Sequence, residues 1–153
     1  MKIMDFLKEK AISADLKSAD KEGIIREMID LLADAQAIKD KEKIVKILLE
    51  REALGSTGIG QGVAIPHGKS SSVKELVAAF GISHKGVNYD SLDGEPVYIF
   101  FLLVAPEDSA GPHLKALARI SRLLKDKYFR DTLRAAPDAK SLIKTLRSED
   151  GKK

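Results

Sequence analysis

The apolar positions of this chain change period several times, and each change marks an element. Ile3 to Lys8 predicts one short helical turn, and Ala11 to Leu16 a short strand. After Asp20, residues Ile24, Ile25, Met28, Leu31 and Leu32 recur at helical spacing, with Asp20 placed as an N-cap. Asp40 repeats the device ahead of Ile44, Ile47 and Leu48. That second helix runs out at Leu54-Gly55, where glycine is a stop signal. Leu76 to Ser83 is a moderately apolar strand, and Pro96 to Val104 is a continuous β-branched and aromatic run, the pattern of a strand buried on both faces. Asn88 to Gly94 between them is rich in turn formers. From Pro112 the helical period returns, with His113, Leu117, Ile120 and Leu124 on one stripe. A shorter helix covers Tyr128 to Ala135, and Asp138 caps a last one through Arg147, which leaves Ser148 to Lys153 as a polar, frayed tail.

Helices on both flanks of a central apolar strand predict an α/β fold, a three-layer sandwich with a small mixed β-sheet between helical layers. The strands do not alternate regularly with helices, which argues against a doubly wound parallel sheet. With no internal repeat and no linker, residues 1–153 read as a single domain long enough to bury a proper core.

Composition removes several function classes. The net charge is only +3, basic and acidic residues are interleaved, and aromatics make up 5%, so the chain lacks the basic stripe and stacking groups of a nucleic-acid binder. It has no cysteine, which removes disulfides, thiol catalysis, iron–sulfur clusters and cysteine-ligated zinc, and fits a reducing cytoplasm. Asp5 interrupts the N-terminus before a signal-peptide run can form, and Val97 to Ala105 is too short to span a bilayer. The expectation is a cytoplasmic protein without membrane insertion.

The chemistry concentrates after the second helix. Gly55-Ser56-Thr57-Gly58-Ile59-Gly60-Gln61-Gly62 leads into Val63-Ala64-Ile65-Pro66-His67. A histidine at a strand end also serves as a plain surface or packing residue. Glycines at 55, 58, 60 and 62, with Ser56 and Thr57, however, offer a backbone able to turn its N–H groups inward as an oxyanion nest. An imidazole beside such a nest has what a phosphohistidine site requires, a nucleophilic nitrogen and donors for phosphoryl oxygens. His113 follows the helix-opening pair Gly111-Pro112, where the positive end of the helix dipole disfavours protonation; a core-facing histidine satisfied by backbone is the alternative. Arg51 continues the stripe of Ile44, Ile47 and Leu48, so it needs Glu50 or Glu52, a phosphoryl group, or an exit to solvent. His84, in Ser83-His84-Lys85-Gly86, reads as a solvated loop residue.

Other motifs fail on spacing. Gly68-Lys69-Ser70 looks like the end of a Walker loop, but Gly62 lies one residue too far upstream. The Gly58, Gly60, Gly62 spacing is not a dinucleotide fingerprint, and a helix precedes it where a strand is needed. No G-x-S-x-G elbow exists, and the three histidines have no metal-ligand spacing.

The run from Arg51 through Gly55-Ser56-Thr57-Gly58-Ile59-Gly60-Gln61-Gly62 to Pro66-His67-Gly68, together with Pro112-His113-Leu114, resembles the signature of enzyme IIA domains of the bacterial phosphoenolpyruvate-dependent phosphotransferase system, fructose/mannitol type. The resemblance implies that His67 is the phosphorylated nucleophile, with His113 as the second active-site histidine and Arg51 as the arginine ahead of the loop. Loop amides at Gly58, Gly60 and Gly62 and the hydroxyls of Ser56 and Thr57 would then join in binding the phosphate, with no metal and no cofactor. It implies a histidine phosphocarrier protein as donor, and either a IIB domain or a regulated target protein as the next partner. Leu92-Asp93-Gly94-Glu95-Pro96-Val97 and Leu102-Leu103-Val104-Ala105-Pro106 look more like the nitrogen-regulatory subgroup, as does a free-standing IIA chain. Sugar-specific IIA domains and a binding-only module are the alternatives.

Overall fold

The computed structural model describes residues 1–152. A 3-10 turn at Ile3–Asp5 opens the chain and is closed by the Asp5 carboxylate, which accepts from the Lys2 N–H at 2.8 Å. The chain is extended again by Leu7, so β1 spans Leu7–Ser13 and not the expected Ala11 to Leu16. Leu16 leaves the strand yet keeps one tie to the sheet, donating to the Ile82 carbonyl at 2.8 Å.

Two helices follow, α1 (Lys21–Asp34) and α2 (Lys41–Ala53). Asp20 caps α1 as expected, accepting from the Gly23 N–H at 2.7 Å. Asp40 stands at the equivalent place before α2 but makes no cap hydrogen bond with its side chain; its backbone (φ −99°, ψ 64°) departs from the extended geometry that aims a capping carboxylate into the first turn.

The glycine-rich stretch is not an open loop. It folds as a hairpin of β2 (Gly58–Gly60) and β3 (Val63–Ala64), turning through Gly60, Gln61 and Gly62, all at positive φ. Glycine at two of those three positions is what makes the turn affordable. Then come β4 (His67–Lys69), β5 (Val77–Val87) and β6 (Val97–Ala105), followed by α3 (Ala110–Leu123), α4 (Lys127–Ala135) and α5 (Ala139–Lys152).

The sheet is mixed, ordered β1-β5-β6-β3-β2, with β4 also on β6. On one edge β6 pairs antiparallel with β5, and on the other it pairs parallel with β3 and, further along, with β4. Alternate residues of β6 face opposite layers. Ile99, Phe101 and Leu103 meet Ile120 of α3, Phe129 and Leu133 of α4, and Leu142 and Leu146 of α5. Phe100, Leu102 and Val104 meet Ile24, Met28 and Leu32 of α1 and Ile44 and Leu48 of α2. This is the expected three-layer α/β sandwich. Burying each such phenylalanine or leucine is worth about 1.5–3 kcal/mol.

The C-terminal segment corrects the reading of a frayed tail. Helix α5 continues to Lys152 because Asp150, only 3% exposed, is held from three sides. Arg119 of α3 donates to its Oδ1 from Nε at 3.0 Å and from Nη2 at 2.6 Å, the Met4 N–H donates to Oδ2 at 3.2 Å, and Lys2 Nζ reaches the Asp150 carbonyl at 2.8 Å. Lys153 lies outside the described residues. Breaking a buried pair strands the partner's charge, so Asp150→Asn lowers unfolding free energy by about 3 kcal/mol. Truncation after Arg147 does at least as much. Urea denaturation followed by circular dichroism measures both, whereas a frayed tail gives no change in midpoint.

Candidate functional site

Three separate elements converge on one cleft of about 650 Å³: the end of α2, the start of β4 and the first turns of α3. They bring Arg51, His67 and His113 together, residues far apart in the chain. The His67 and His113 ring centroids are 5.5 Å apart, with the rings nearly perpendicular at 73°.

His67 owes its orientation to a break in the sheet. Val63 and Ala64 pair with Ile99 and Phe100, and His67 resumes pairing with Leu103 in the same register, so Ile65 and Pro66 bridge the gap. Proline has no N–H to pair. The Ile65 carbonyl is left to accept from His67 Nδ1 at 2.7 Å. That bond fixes the proton on Nδ1 and leaves Nε2 as the basic nitrogen.

His113 is 5% exposed, and its Nε2 has no hydrogen-bond partner. A buried polar atom without a partner is costly, so this one is suited to a group that visits the cleft. Burial pushes the His113 imidazole down to about 4, aided by His67 and the nearby Lys69 ammonium. Burial also lowers His67, against the Ile65 hydrogen bond, and the Arg51 guanidinium adds to the lowering. Both rings are neutral near pH 7.

Arg51 is held over the cleft by its bond to the Gly55 carbonyl at 2.8 Å. Glu52, offered by sequence as a possible partner for Arg51, is turned inward and pairs with Lys21 at 3.2 Å. Lys69, two residues beyond His67 and so on the same face of β4, also lines the cleft. Sequence reasoning set Lys69 aside with the failed Walker match; the period-two spacing from His67 was the signal that marks it. Leu54 and Leu114, 85% and 66% exposed, form an apolar rim, and Glu50 is the carboxylate on that lining.

Ser56, Thr57, Gly58, Gly60 and Gly62 are not brought to this cleft. The hydroxyls of Ser56 and Thr57 and the amides of Thr57, Gly58 and Gln61 are engaged within the fold. The Thr57 N–H donates to Glu52 Oε1 at 3.1 Å, and its hydroxyl bonds to Glu52 Oε2. The Gly58 N–H is taken by Ser56 Oγ at 3.0 Å, the Ser56 hydroxyl donates to the Tyr89 carbonyl at 3.2 Å, and the Gln61 N–H goes to Asp93 at 3.1 Å. Gly60 and Gly62 pack instead against Asp93 and Tyr98. His84 is exposed, as expected, though it sits within β5 and not in a loop.

The site is therefore a neutral imidazole pair with one open basic nitrogen, one unpartnered nitrogen and two flanking cations. That set can take up and hold a phosphoryl group. No three of the described His, Asp or Glu residues gather at metal-ligand distance. Over residues 5–149 the chain matches the family described as the phosphoenolpyruvate-dependent sugar phosphotransferase system, EIIA 2, and it belongs to that family. It is thus a phosphotransferase component of the kind that carries phosphoryl groups. Among its relatives, the nitrogen regulatory protein of Bradyrhizobium diazoefficiens is 38% identical over 95% of both chains. The fructose-specific EIIABC component of Bacillus subtilis is 39% identical over 98% of this chain, which spans only 24% of that larger protein. The crystal structure of IIA-Ntr from Neisseria meningitidis superposes with a TM-score of 0.87 at 33% identity, covering 94% of this chain and 98% of that one. The IIA mannitol structure from Escherichia coli shares the fold, with a TM-score of 0.77 at 20% identity over 91% of this chain and 97% of its own.

Depressed histidines make the fold sensitive to acid. The unfolded chain binds the His113 proton near the ordinary 6.5 and the folded one only near 4, so stability falls as pH drops through that window. The loss attributable to His113 is on the order of 3 kcal/mol at most. Urea unfolding at pH 7 and pH 5 measures it, and His113→Asn flattens the slope.

Proposed function

We propose that His67 Nε2 accepts a phosphoryl group from a phosphohistidine carrier protein and that the chain, as one phosphocarrier domain of the cytoplasm, signals through its phosphorylation state. The observation that carries the site assignment is the combination of an Nδ1-anchored His67 with the buried, unpartnered Nε2 of His113 beside it.

The transfer runs in line. A nitrogen–phosphorus bond forms at His67 Nε2 as the donor's breaks, and the donor imidazole leaves with its electron pair. Positive charge developing on the His67 ring is met by the Ile65 carbonyl through Nδ1–H. Negative charge on the phosphoryl oxygens is met by Arg51, Lys69 and a proton on His113 Nε2. Alignment and fixed charge supply the catalysis. The exposed Leu54 and Leu114 rim provides an apolar landing surface for a transient partner.

The regulatory reading is supported by the end-to-end likeness to a nitrogen regulatory protein and by the higher structural similarity to IIA-Ntr than to IIA mannitol. The second reading, a sugar-specific IIA that passes the group to a IIB domain, is supported by the fructose-specific relative, which matches 98% of this chain.

Incubation with phosphoenolpyruvate and the general phosphotransferase proteins is expected to place acid-labile phosphate on the chain. His67→Ala abolishes it, and His113→Ala slows it by about 10²-fold. Labelling of His67→Ala overturns the assignment. A chase with IIB domains then separates the fates: rapid loss of label means transfer toward sugar, and retention means signalling.

A further inference from the structure

The phosphoryl site sits beside a buried carboxylate that the transfer chemistry does not use. Glu52 is 7% exposed and lies in the last turn of α2, where the helix dipole disfavours negative charge. A carboxylate there needs several donors, and it has them from three separate segments. Lys21 at the start of α1 lies 3.2 Å from Oε1, and its ammonium also stands 4.9 Å from the Tyr89 ring centre. The Tyr89 hydroxyl donates to Oε2 at 3.1 Å, and Thr57 donates from both its N–H and its hydroxyl.

Thr57 links this cluster to the site. Its carbonyl accepts the Ile65 N–H at 3.0 Å, and the Ile65 carbonyl in turn accepts from His67 Nδ1 at 2.7 Å. Ile65 lies where β3 gives way to β4: β6 holds the next carbonyl, that of Pro66, through the Leu103 N–H at 2.9 Å, while the N–H and carbonyl of Ile65 turn to Thr57 and His67. The Ile65 N–H is thus held by Thr57, and Thr57 is held by Glu52. Arg51, the residue before Glu52, is drawn to the Gly55 carbonyl on the same short turn.

Building on the assignment of His67 above, we propose that Glu52 is a positioning residue for phosphoryl transfer. It clamps Thr57, Thr57 sets the Ile65 carbonyl, and that carbonyl keeps the proton on His67 Nδ1 so that Nε2 faces the cleft as the free base. It touches neither the phosphoryl group nor the imidazole. The positioning effect reaches the ring through one backbone hydrogen bond, Ile65 N–H to the Thr57 carbonyl, and the bond from His67 Nδ1 to the Ile65 carbonyl. Beside it stands the direct influence of the Glu52 charge, which raises the His67 pKa.

The test uses the full chain. In Glu52→Gln the carboxylate charge is lost and one oxygen becomes an NH2 group, which cannot accept the hydrogen bonds that Thr57 and Tyr89 donate to that atom. The ¹⁵N shifts of His67 are expected to move from a single Nδ1–H tautomer to a mixture, and the phosphorylation kcat to fall about tenfold with KM for the carrier protein unchanged. Glu52→Asp, which keeps the charge but withdraws the carboxylate by one methylene, shifts both readouts in the same direction and serves if Glu52→Gln does not fold. Tyr89→Phe removes the hydroxyl that meets Glu52 Oε2 and the Thr57 hydroxyl at 3.2 Å, but it leaves the Thr57 N–H on Glu52 Oε1 and the Thr57 carbonyl on the Ile65 N–H. It is expected to lower the urea midpoint while leaving the His67 tautomer unchanged.

Unchanged ¹⁵N shifts and kcat in the Glu52 variants overturn the proposal. So does a Tyr89→Phe tautomer shift equal to that of Glu52→Gln, because general loosening then accounts for both. The tautomer needs no phosphate to be read. A wild-type chain that takes up no label on His67 sinks the phosphocarrier assignment alone.

Discussion

The constraint on which the site depends is a two-residue interruption along one edge of β6. The strands β3 and β4 are one extended segment laid in a single register against β6, and at Ile65-Pro66 the ladder keeps only the bond from the Leu103 N–H to the Pro66 carbonyl. Proline cannot donate there, and the Ile65 N–H is turned to Thr57. A free carbonyl beside the end of a strand is normally a cost. Here it meets the imidazole two residues on, and that contact decides which His67 nitrogen is basic. The rest of the fold keeps this break in place. β6 is buried on both faces and cannot shift, α2 packs against β4 from one layer, and α3 brings His113 from the other.

Sequence patterns exposed the fold well wherever burial writes a period. The apolar run of β6, the stripes of α1, α2 and α3, and the Asp20 cap are all local facts, and the three-layer mixed sandwich follows from them. Contacts between distant polar residues leave no such trace. Ser148 to Lys153 reads as solvated because it is polar, and nothing near Asp150 in the chain announces Arg119 of α3 or the amide of Met4. The glycine stretch fails for the same reason. Its amides look free in sequence, but Glu52 and Asp93 consume two of them, and Asp93 lies far along the chain. His67, His113 and Arg51 were legible as individually odd placements and through the family resemblance. Their convergence was not, since it depends on the crossing of three elements.

The electrostatics of the cleft suit a group that must arrive and leave. Two imidazoles kept neutral by burial do not repel each other, and a neutral His67 is nucleophilic where a protonated one is not. Cations enough to hold a phosphoryl dianion permanently would trap it. The structure instead supplies Arg51, already engaged with the Gly55 carbonyl, and Lys69, which is exposed and strongly hydrated. Neither is buried, so their attraction is moderated by solvent. His113 Nε2 is buried without a hydrogen-bond partner, a cost that the proposed phosphoryl group would offset by accepting from it.

This division separates the chemistry from its destination. On the proposed function, the two histidines, Arg51 and Lys69 would act on atoms of the phosphoryl group alone, whatever stands behind it. The proposal then leaves discrimination among partners to the rim, where the exposed Leu54 at the end of α2 and Leu114 of α3 lie. A rim of two exposed leucines contributes a few kcal/mol at full burial, against an association cost of at least comparable size. Such a surface gives brief contacts whose outcome depends on small differences in the partner. On the proposed function, a transporter and a regulatory circuit would call for the same residues around the phosphoryl group and differ at the rim.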